Sequence, residues 1–388
     1  MKIAGVICEF NPFHNGHAFL AQKAGEGGFT HIAGVMSGSF VQRGEPAIFD
    51  VSERVSVALE NGYDLILQLP VEYSTSGAMG FAQGGARILD AMGCIDSLMF
   101  ASECGDIAKL KKAAEIITDD GVDTLLKKEL ESGISYAAAR ENAVRAFDPD
   151  SADLLREPNN ILGIEYISAL KKTGSKIKPE TISRAGVAHD SEIAEGSFAS
   201  GAEIRRRIRA GEKWKELVPL GAYSAEFNPA DMKKYETLVL YKLRTMSAEE
   251  IALLPDISEG IENRIARASR EAETLEDFYA FAKTKRYSHA RIRRIALAAL
   301  LGITAEDAAA PPSYIRVLGF NDRGAEIIRR MKETATLPVI TKAADMKEAP
   351  ENMQRVFDLQ CRAADIYSLI TEKPGACGAE KRFTVIKK

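Results

Sequence analysis

Short apolar runs alternate with amphipathic stretches through the first hundred residues. Residues 3–8, 31–36, 65–69 and 97–100 are almost wholly apolar and bounded by turn residues, the signature of strands buried on both faces. The segments between them, 17–22, 52–59 and 80–92, carry apolar residues at helical spacing. Strands alternating with helices in this way predict a parallel sheet with crossover helices. Right-handed crossovers then bring the residues just after each strand to one edge. From 107 to 145 the pattern is helical, with Lys and Glu interspersed. A turn at 157–163 leads into a helix through Tyr166 and Leu170, and 176–183 reads as a last strand ending at Arg184. Beyond Gly201 the chain reads as helical to about Leu301, and 314–388 as a mixed segment with helices near 325–334 and 353–370.

The fold class predicted is α/β. A Rossmann-like parallel-sheet domain spans 1–210, with a helical insertion at about 105–160. A mainly helical C-terminal region follows, divided into a helical domain over 211–301 and a small mixed α/β segment over 302–388. A chain of 388 residues has room for two or three such domains. Hydrophobic content of 46% and charged content of 27% are ordinary for a globular protein. No apolar run reaches the roughly 18 residues of a membrane span, and no signal-peptide pattern is present. Five cysteines without a C-x-x-C pair read as reduced thiols, so the expected location is cytoplasmic. A net charge of −4 requires any nucleic-acid surface to be local.

Candidate chemistry begins directly after the first strand, at His14-Asn15-Gly16-His17. A strand end meeting a helix N-terminus points backbone N–H groups at an anion, which suits a phosphate chain. Two histidines three apart share one face of a helical turn, where both can donate to a phosphoryl oxygen. That combination argues for chemistry at the α-phosphate of ATP. Two histidines at a surface helix start, or a zinc site, are the other readings. No Cys or carboxylate at usual spacing completes a tetrahedral zinc set, so no metal ligands are assigned.

Further blocks narrow the reading. Phe10-Asn11-Pro12-Phe13-His14-Asn15-Gly16-His17 resembles the first signature of the HIGH-type nucleotidyltransferase superfamily. Val35-Met36-Ser37-Gly38-Ser39-Phe40-Val41-Gln42-Arg43-Gly44-Glu45-Pro46 resembles the second block of the tRNA(Met) cytidine acetate ligase family. Phe100-Ala101-Ser102-Glu103, Pro158-Asn159-Asn160-Ile161-Leu162-Gly163 and Thr284-Lys285-Arg286-Tyr287 are similar to later blocks, in order. The resemblance implies a ligase that forms acetyl-adenylate from acetate and ATP, with magnesium accompanying the triphosphate. It further implies transfer of the acetyl group to N4 of the wobble cytidine of elongator tRNA(Met). An acetate ligase acting on a carrier-protein thiol, a compact adenylyltransferase and a non-catalytic tRNA-binding protein are the competing readings.

On that resemblance His14 and His17 are the catalytic pair. The segment Ile7, Cys8, Glu9, Phe10, Asn11, Pro12, Phe13, His14, Asn15, Gly16, His17, Ala18, Phe19 and Leu20 wraps the nucleotide. Ala101, where the family usually has Gly, lines the adenosine pocket. Asn159 and Asn160 are hydrogen-bonding candidates or turn formers, and Arg184 is a candidate phosphate contact. Ala199-Ser200-Gly201-Ala202-Glu203-Ile204-Arg205 resembles the second superfamily signature. Ser200 there caps a helix and, with the N-terminal amides, holds the β- and γ-phosphates, and Arg205 is a further ATP-binding candidate. Arg206, Arg207 and Arg209 read as an exposed basic face or an RNA contact. Arg43 is a candidate acetate or phosphate contact.

The tRNA side rests on residues 283–294, which hold six Lys or Arg and no acidic residue. Such a run is either a solvated face or a positive field for RNA. Lys283, Lys285, Arg286, Tyr287, Arg291 and Arg294 are the candidate contacts, with Tyr287 expected to stack on a base.

Overall fold

The computed structural model describes residues 1–184, 198–223, 228–258 and 260–388. Among the described residues ten strands appear in chain order: β1 (Ile3–Cys8), β2 (His31–Ser37), β3 (Phe40–Val41), β4 (Glu45–Pro46), β5 (Leu65–Leu69), β6 (Ser97–Ser102), β7 (Lys178–Ser183), β8 (Ile315–Phe320), β9 (Val339–Ile340) and β10 (Ile386–Lys387). The main sheet runs β10-β8-β5-β2-β1-β6-β7, with β9 beside β8. Its centre, β5-β2-β1-β6-β7, is parallel throughout, as the alternation of strands and helices predicts. Strand order reverses between β2 and β6 on either side of β1, and a crevice opens at such a reversal, outside the carboxyl ends of the strands.

Both faces of this sheet are covered, which is why its strands read as unbroken apolar runs. In β1, Ile3 and Ile7 point to one face and Ala4, Val6 and Cys8 to the other. The first face packs on helices Ala78–Ala91, Pro158–Thr173 and Asp322–Thr334 through Phe81, Leu89, Ile164 and Ile327. The second packs on helices Asn15–Glu26 and Val51–Glu60 through Leu20, Val55 and Ala58. Four helices, Ile107–Ile117, Asp120–Glu131, Tyr136–Arg145 and Pro149–Leu154, lie between β6 and the helix Pro158–Thr173. They close a small core of their own around Val122, Ala143 and Val144.

Helices Met232–Thr245, Ile261–Glu271, Leu275–Ala282 and His289–Leu301 share a further core with the long helix Glu351–Ile370. That core takes in Phe40 and Val71 from the sheet side. One part of the joint is the small β3–β4 hairpin with the residue after it: Tyr235 Oη donates to Gly44 O (3.0 Å) and Tyr367 Oη to Ala47 O (2.9 Å). Gly44 (φ +76°) packs so closely that a Cβ would lie 2.8 Å from the Arg293 carbonyl carbon. The last segment returns to the sheet, where β8 pairs antiparallel with β5 and β10 lies parallel to β8.

Candidate active site at the end of the first strand

The site is built from the turn between β1 and the helix Asn15–Glu26. His14 is that helix's N-cap: its Nδ1 accepts Gly16 N–H (3.1 Å), while His17 Nδ1 accepts His14 N–H (3.1 Å). This reciprocal arrangement satisfies two orphan donors of the first turn, as a capping box does with Ser and Glu. The two imidazoles stack with centroids 3.8 Å apart. Gly16 is required because a Cβ there would come 2.9 Å from His14 Cε1. With Nδ1 accepting in both rings, the neutral tautomer carries its proton on Nε2, so each ring offers one N–H donor.

Burial holds His14 down to about 4, helped by the positive charges of Arg184 and Arg205. Burial also pushes His17 well below the ordinary imidazole range, with His14 and Arg184 adding to the effect. Both rings are therefore neutral at physiological pH. They suit hydrogen-bond donation to an anion, not proton transfer.

The loop leading to the pair is fixed from several sides. Phe10 and Phe13 are fully buried, and His17 meets the edge of Phe10 at 4.9 Å. Asn11 Oδ1 accepts Ile48 N–H (2.7 Å), and Phe13 N–H donates to Tyr223 Oη (2.7 Å). Ile7, Cys8, Pro12 and Leu20 are buried as well, leaving Glu9 and residues 14–19 partly accessible. Glu9 accepts Gln42 N–H (2.8 Å), and burial raises its carboxyl. Asn15 donates to Glu216 O (3.2 Å), and Phe19 meets Phe198 edge-on at 6.1 Å.

The second signature packs directly on the first. Ser200 Oγ caps the helix Gly201–Ala210 by accepting Glu203 N–H (3.2 Å). A Cβ on Gly201 would lie 3.0 Å from Asn11 O. Arg205, 6% exposed, donates to that same Asn11 O (2.6 Å) and pairs with Glu45 (3.1 Å). Its guanidinium thus ties the helix, the first loop and the β3–β4 hairpin together.

On the other side of β1, Ala101 and Ser102 end β6, and Glu103 follows. The Glu103 carboxylate accepts Asn159 N–H (3.2 Å), Asn159 Nδ2 (2.6 Å) and Asn160 N–H (2.8 Å), and lies 3.7 Å from Arg184. It caps the helix Pro158–Thr173, whose own N-cap, Glu157, makes no side-chain bond. Asn160 is buried, and its Oδ1 accepts Cys104 N–H (3.1 Å).

The basic run departs from expectation at one residue. Tyr287 is 3% exposed, its hydroxyl bonds Ser258 O (2.6 Å), and Arg291 covers its ring at 4.1 Å. It is a core residue of the helical bundle and has no free face for a base. Lys283 and Lys285 are exposed, whereas Arg286 donates to Leu130 O (3.2 Å), Arg291 to Asp256 O (2.7 Å), and Arg294 lies 3.8 Å from Asp256.

Sequence reasoning passed over Arg54, which is fully buried. It donates to the carbonyls of Glu9 (2.8 Å), Ser37 (3.0 Å), Phe49 (3.1 Å) and Gly38, joining the loops after β1 and β2. In the string Ser52-Glu53-Arg54-Val55 it reads as a helix surface charge, and no pattern distinguishes it. Glu103 had a signal: a lone carboxylate directly after a strand on the edge that collects the other candidates.

Among the described residues no three His, Cys, Asp or Glu side chains gather as a metal site, and no helix is long and apolar enough to cross a membrane.

The sequence model of the HIGH Nucleotidyl Transferase family matches residues 1–381. The tRNA(Met) cytidine acetate ligase of Thermoanaerobacter sp. (strain X514) is 38% identical over 405 aligned positions, spanning 100% of both chains. That of Caldanaerobacter subterraneus subsp. tengcongensis is 39% identical over 385 positions and 95% of each chain. The crystal structure of Thermotoga maritima TmcAL bound with alpha-thio ATP superposes with a TM-score of 0.90 over 100% of both chains, at 30% identity. Signature, fold and full-length similarity agree: the chain belongs to the HIGH nucleotidyl transferases and, among them, to the tRNA(Met) cytidine acetate ligase family.

Proposed function

We infer that this protein activates acetate with ATP and acetylates N4 of the wobble cytidine of elongator tRNA(Met). An acetate oxygen attacks the α-phosphorus and pyrophosphate leaves. The cytidine N4 amine then attacks the acetyl carbonyl, AMP leaves, and N4 loses a proton. Neither step needs an enzyme nucleophile, so catalysis rests on positioning and on stabilising charge.

The observation that carries this reading is the stacked pair His14 and His17, both acceptors at Nδ1 and both held neutral. Their Nε2–H groups are donors suited to the charge that builds on the α-phosphoryl oxygens. The helix Asn15–Glu26 adds its N-terminal field at the switch point of the sheet. Residues 7–20, Ala101, Asn159, Asn160, Arg184, Ser200 and Arg205 form the nucleotide site in this reading. Asn160 and Arg205 shape its walls through the bonds described above. Magnesium would arrive on the triphosphate, since no acidic cluster among the described residues offers it a protein site. The RNA would lie along Lys283, Lys285, Arg286, Arg291 and Arg294, with Tyr287 positioning Arg291. The ATP and tRNA substrates, together with five unpaired cysteines, fit a cytoplasmic location.

The test is transfer of labelled acetate to an unmodified elongator tRNA(Met) transcript in the presence of ATP, comparing the protein with His17→Ala. Label in the RNA, reduced about 10²–10³-fold in the variant as for loss of a transition-state donor, is expected. Acetyl-adenylate without labelled RNA would move the acceptor elsewhere. Equal rates in both proteins would remove the histidine pair from the chemistry.

A further inference from the structure

A cavity of about 460 Å³ lies where the helix Gly201–Ala210, the β3–β4 hairpin and the helix His289–Leu301 meet. Arg43, Arg205, Arg206, Arg209 and Arg293 line it, with Glu45 the one acidic residue on its wall among the described residues. Their charges are unevenly answered. Arg206 is held by Glu203 (2.8 Å) and Glu212 (2.7 Å). Arg205 and Arg209 share Glu45, at 3.1 and 3.6 Å. Arg293 reaches Glu276, 3.7 Å away and largely in solvent, and lies over the Tyr279 ring at 5.2 Å. Arg43 has no carboxylate within 4 Å among the described residues.

Three of these guanidiniums, Arg43, Arg205 and Arg209, line the hollow beside one carboxylate, Glu45, and that excess of positive charge is unfavourable unless an anion completes the site. The planar fork of Arg matches phosphate oxygens in pairs, which a lone cation does not. The hollow is also rigidly placed. Arg293 belongs to the helix pressed onto Gly44, and Arg209 lies one turn beyond Arg205, which is bonded to the loop that carries His14. It therefore joins the basic run of the helical bundle to the nucleotide site.

We propose that this arginine-lined cavity binds a backbone phosphate of the acceptor RNA, seating the strand that carries the target base beside the activated acyl group. The proposal rests on the acceptor being RNA. It assigns positioning roles to Arg209 and Arg293.

The test uses the full chain, an unmodified elongator tRNA(Met) transcript as probe, and the variants Arg209→Gln, Arg293→Gln and Arg293→Lys. Two quantities are read: the salt dependence of RNA binding, and acetate-dependent ATP–pyrophosphate exchange without RNA. Each Gln variant is expected to lower the slope of log K against log[salt] by about 0.7–0.9, equivalent to binding about sixfold weaker at ~0.1 M salt. Arg293→Lys keeps the slope, and exchange is unchanged in all three, which also shows that they fold. A raised KM for ATP in exchange with an unaltered slope would assign the cavity to the nucleotide's own phosphates and overturn the proposal. Slopes and exchange both unaltered would overturn it too. A wild-type protein that supports exchange but acetylates no tRNA would refute the acceptor reading itself. That result is distinct from variants binding like an active wild type.

Discussion

At the scale of single residues, the two histidines act through what burial removes from them. An ordinary imidazole titrates near 6.5 and would be part cation at pH 7. Here burial and two neighbouring guanidiniums hold His14 near 4, and His17 is depressed as well. The adenylation rate should therefore be flat from pH 8 to about 5 and fall only as pH approaches 4. A fall centred near 6.5 in the pyrophosphate-exchange rate would show the rings titrating normally. The same shift has a stability consequence. Between pH 6.5 and 4 the unfolded chain takes up protons that the folded His14 refuses, so stability is lost as pH falls through that window. Compared by urea denaturation, the protein should gain stability relative to a His14→Gln variant as pH rises from 4 to 6.5, since Glu53 and Glu72, pushed up by burial to about 7 and about 8, act with the opposite sign in both proteins. His14 and His17 were legible because their spacing and place after a strand carry the chemistry locally. Arg54 and Tyr287 were not, since whether a cation or an aromatic ring is buried depends on which distant chain covers it.

At the scale of elements, a short hairpin is one part of the joint between sheet and helical bundle, beside Val71 and the hydrogen bond from Tyr367 to Ala47. Gly44 in that hairpin combines φ +76° with a neighbour that leaves no room for a methyl group. Gly44→Ala should cost about 1–3 kcal/mol from the left-handed conformation alone. It should also push the helix His289–Leu301 outward, weakening RNA binding before it touches ATP binding. Circular dichroism melts and an RNA titration check this, and a variant as stable as wild type would refute the close-packed joint. The central strands and their crossover helices were readable because burial on both faces leaves a continuous apolar run. The hairpin strands β3 and β4, two residues each, were too short to leave any pattern. The cap on the helix Pro158–Thr173 was hidden differently. Its anion, Glu103, follows a distant strand and lies 56 positions before Asn159 in the chain.

At the scale of the whole molecule, the C-terminal segment is part of the central sheet. β8 runs antiparallel on β5, β10 follows on β8, and Glu380 reaches Arg316, which is 1% exposed, at 3.5 Å. A chain ended at Gly378 lacks both β10 and Glu380, stranding the Arg316 guanidinium without its carboxylate. Loss of about 3–5 kcal/mol is expected, as for removal of one partner from a buried ion pair. An unchanged denaturation midpoint would show that the tail is dispensable. The sequence by itself determined the parallel α/β core, the strand-to-helix turn with its two histidines, and the family to which those blocks belong. These are local facts, written in periodicity and in residues close along the chain. Only the tertiary structure decided that the last segment joins the sheet, that Arg54 and Glu103 brace the site, and that arginines from three elements face one cavity. Each of those depends on contacts between residues far apart in sequence, which hydrophobic spacing does not encode.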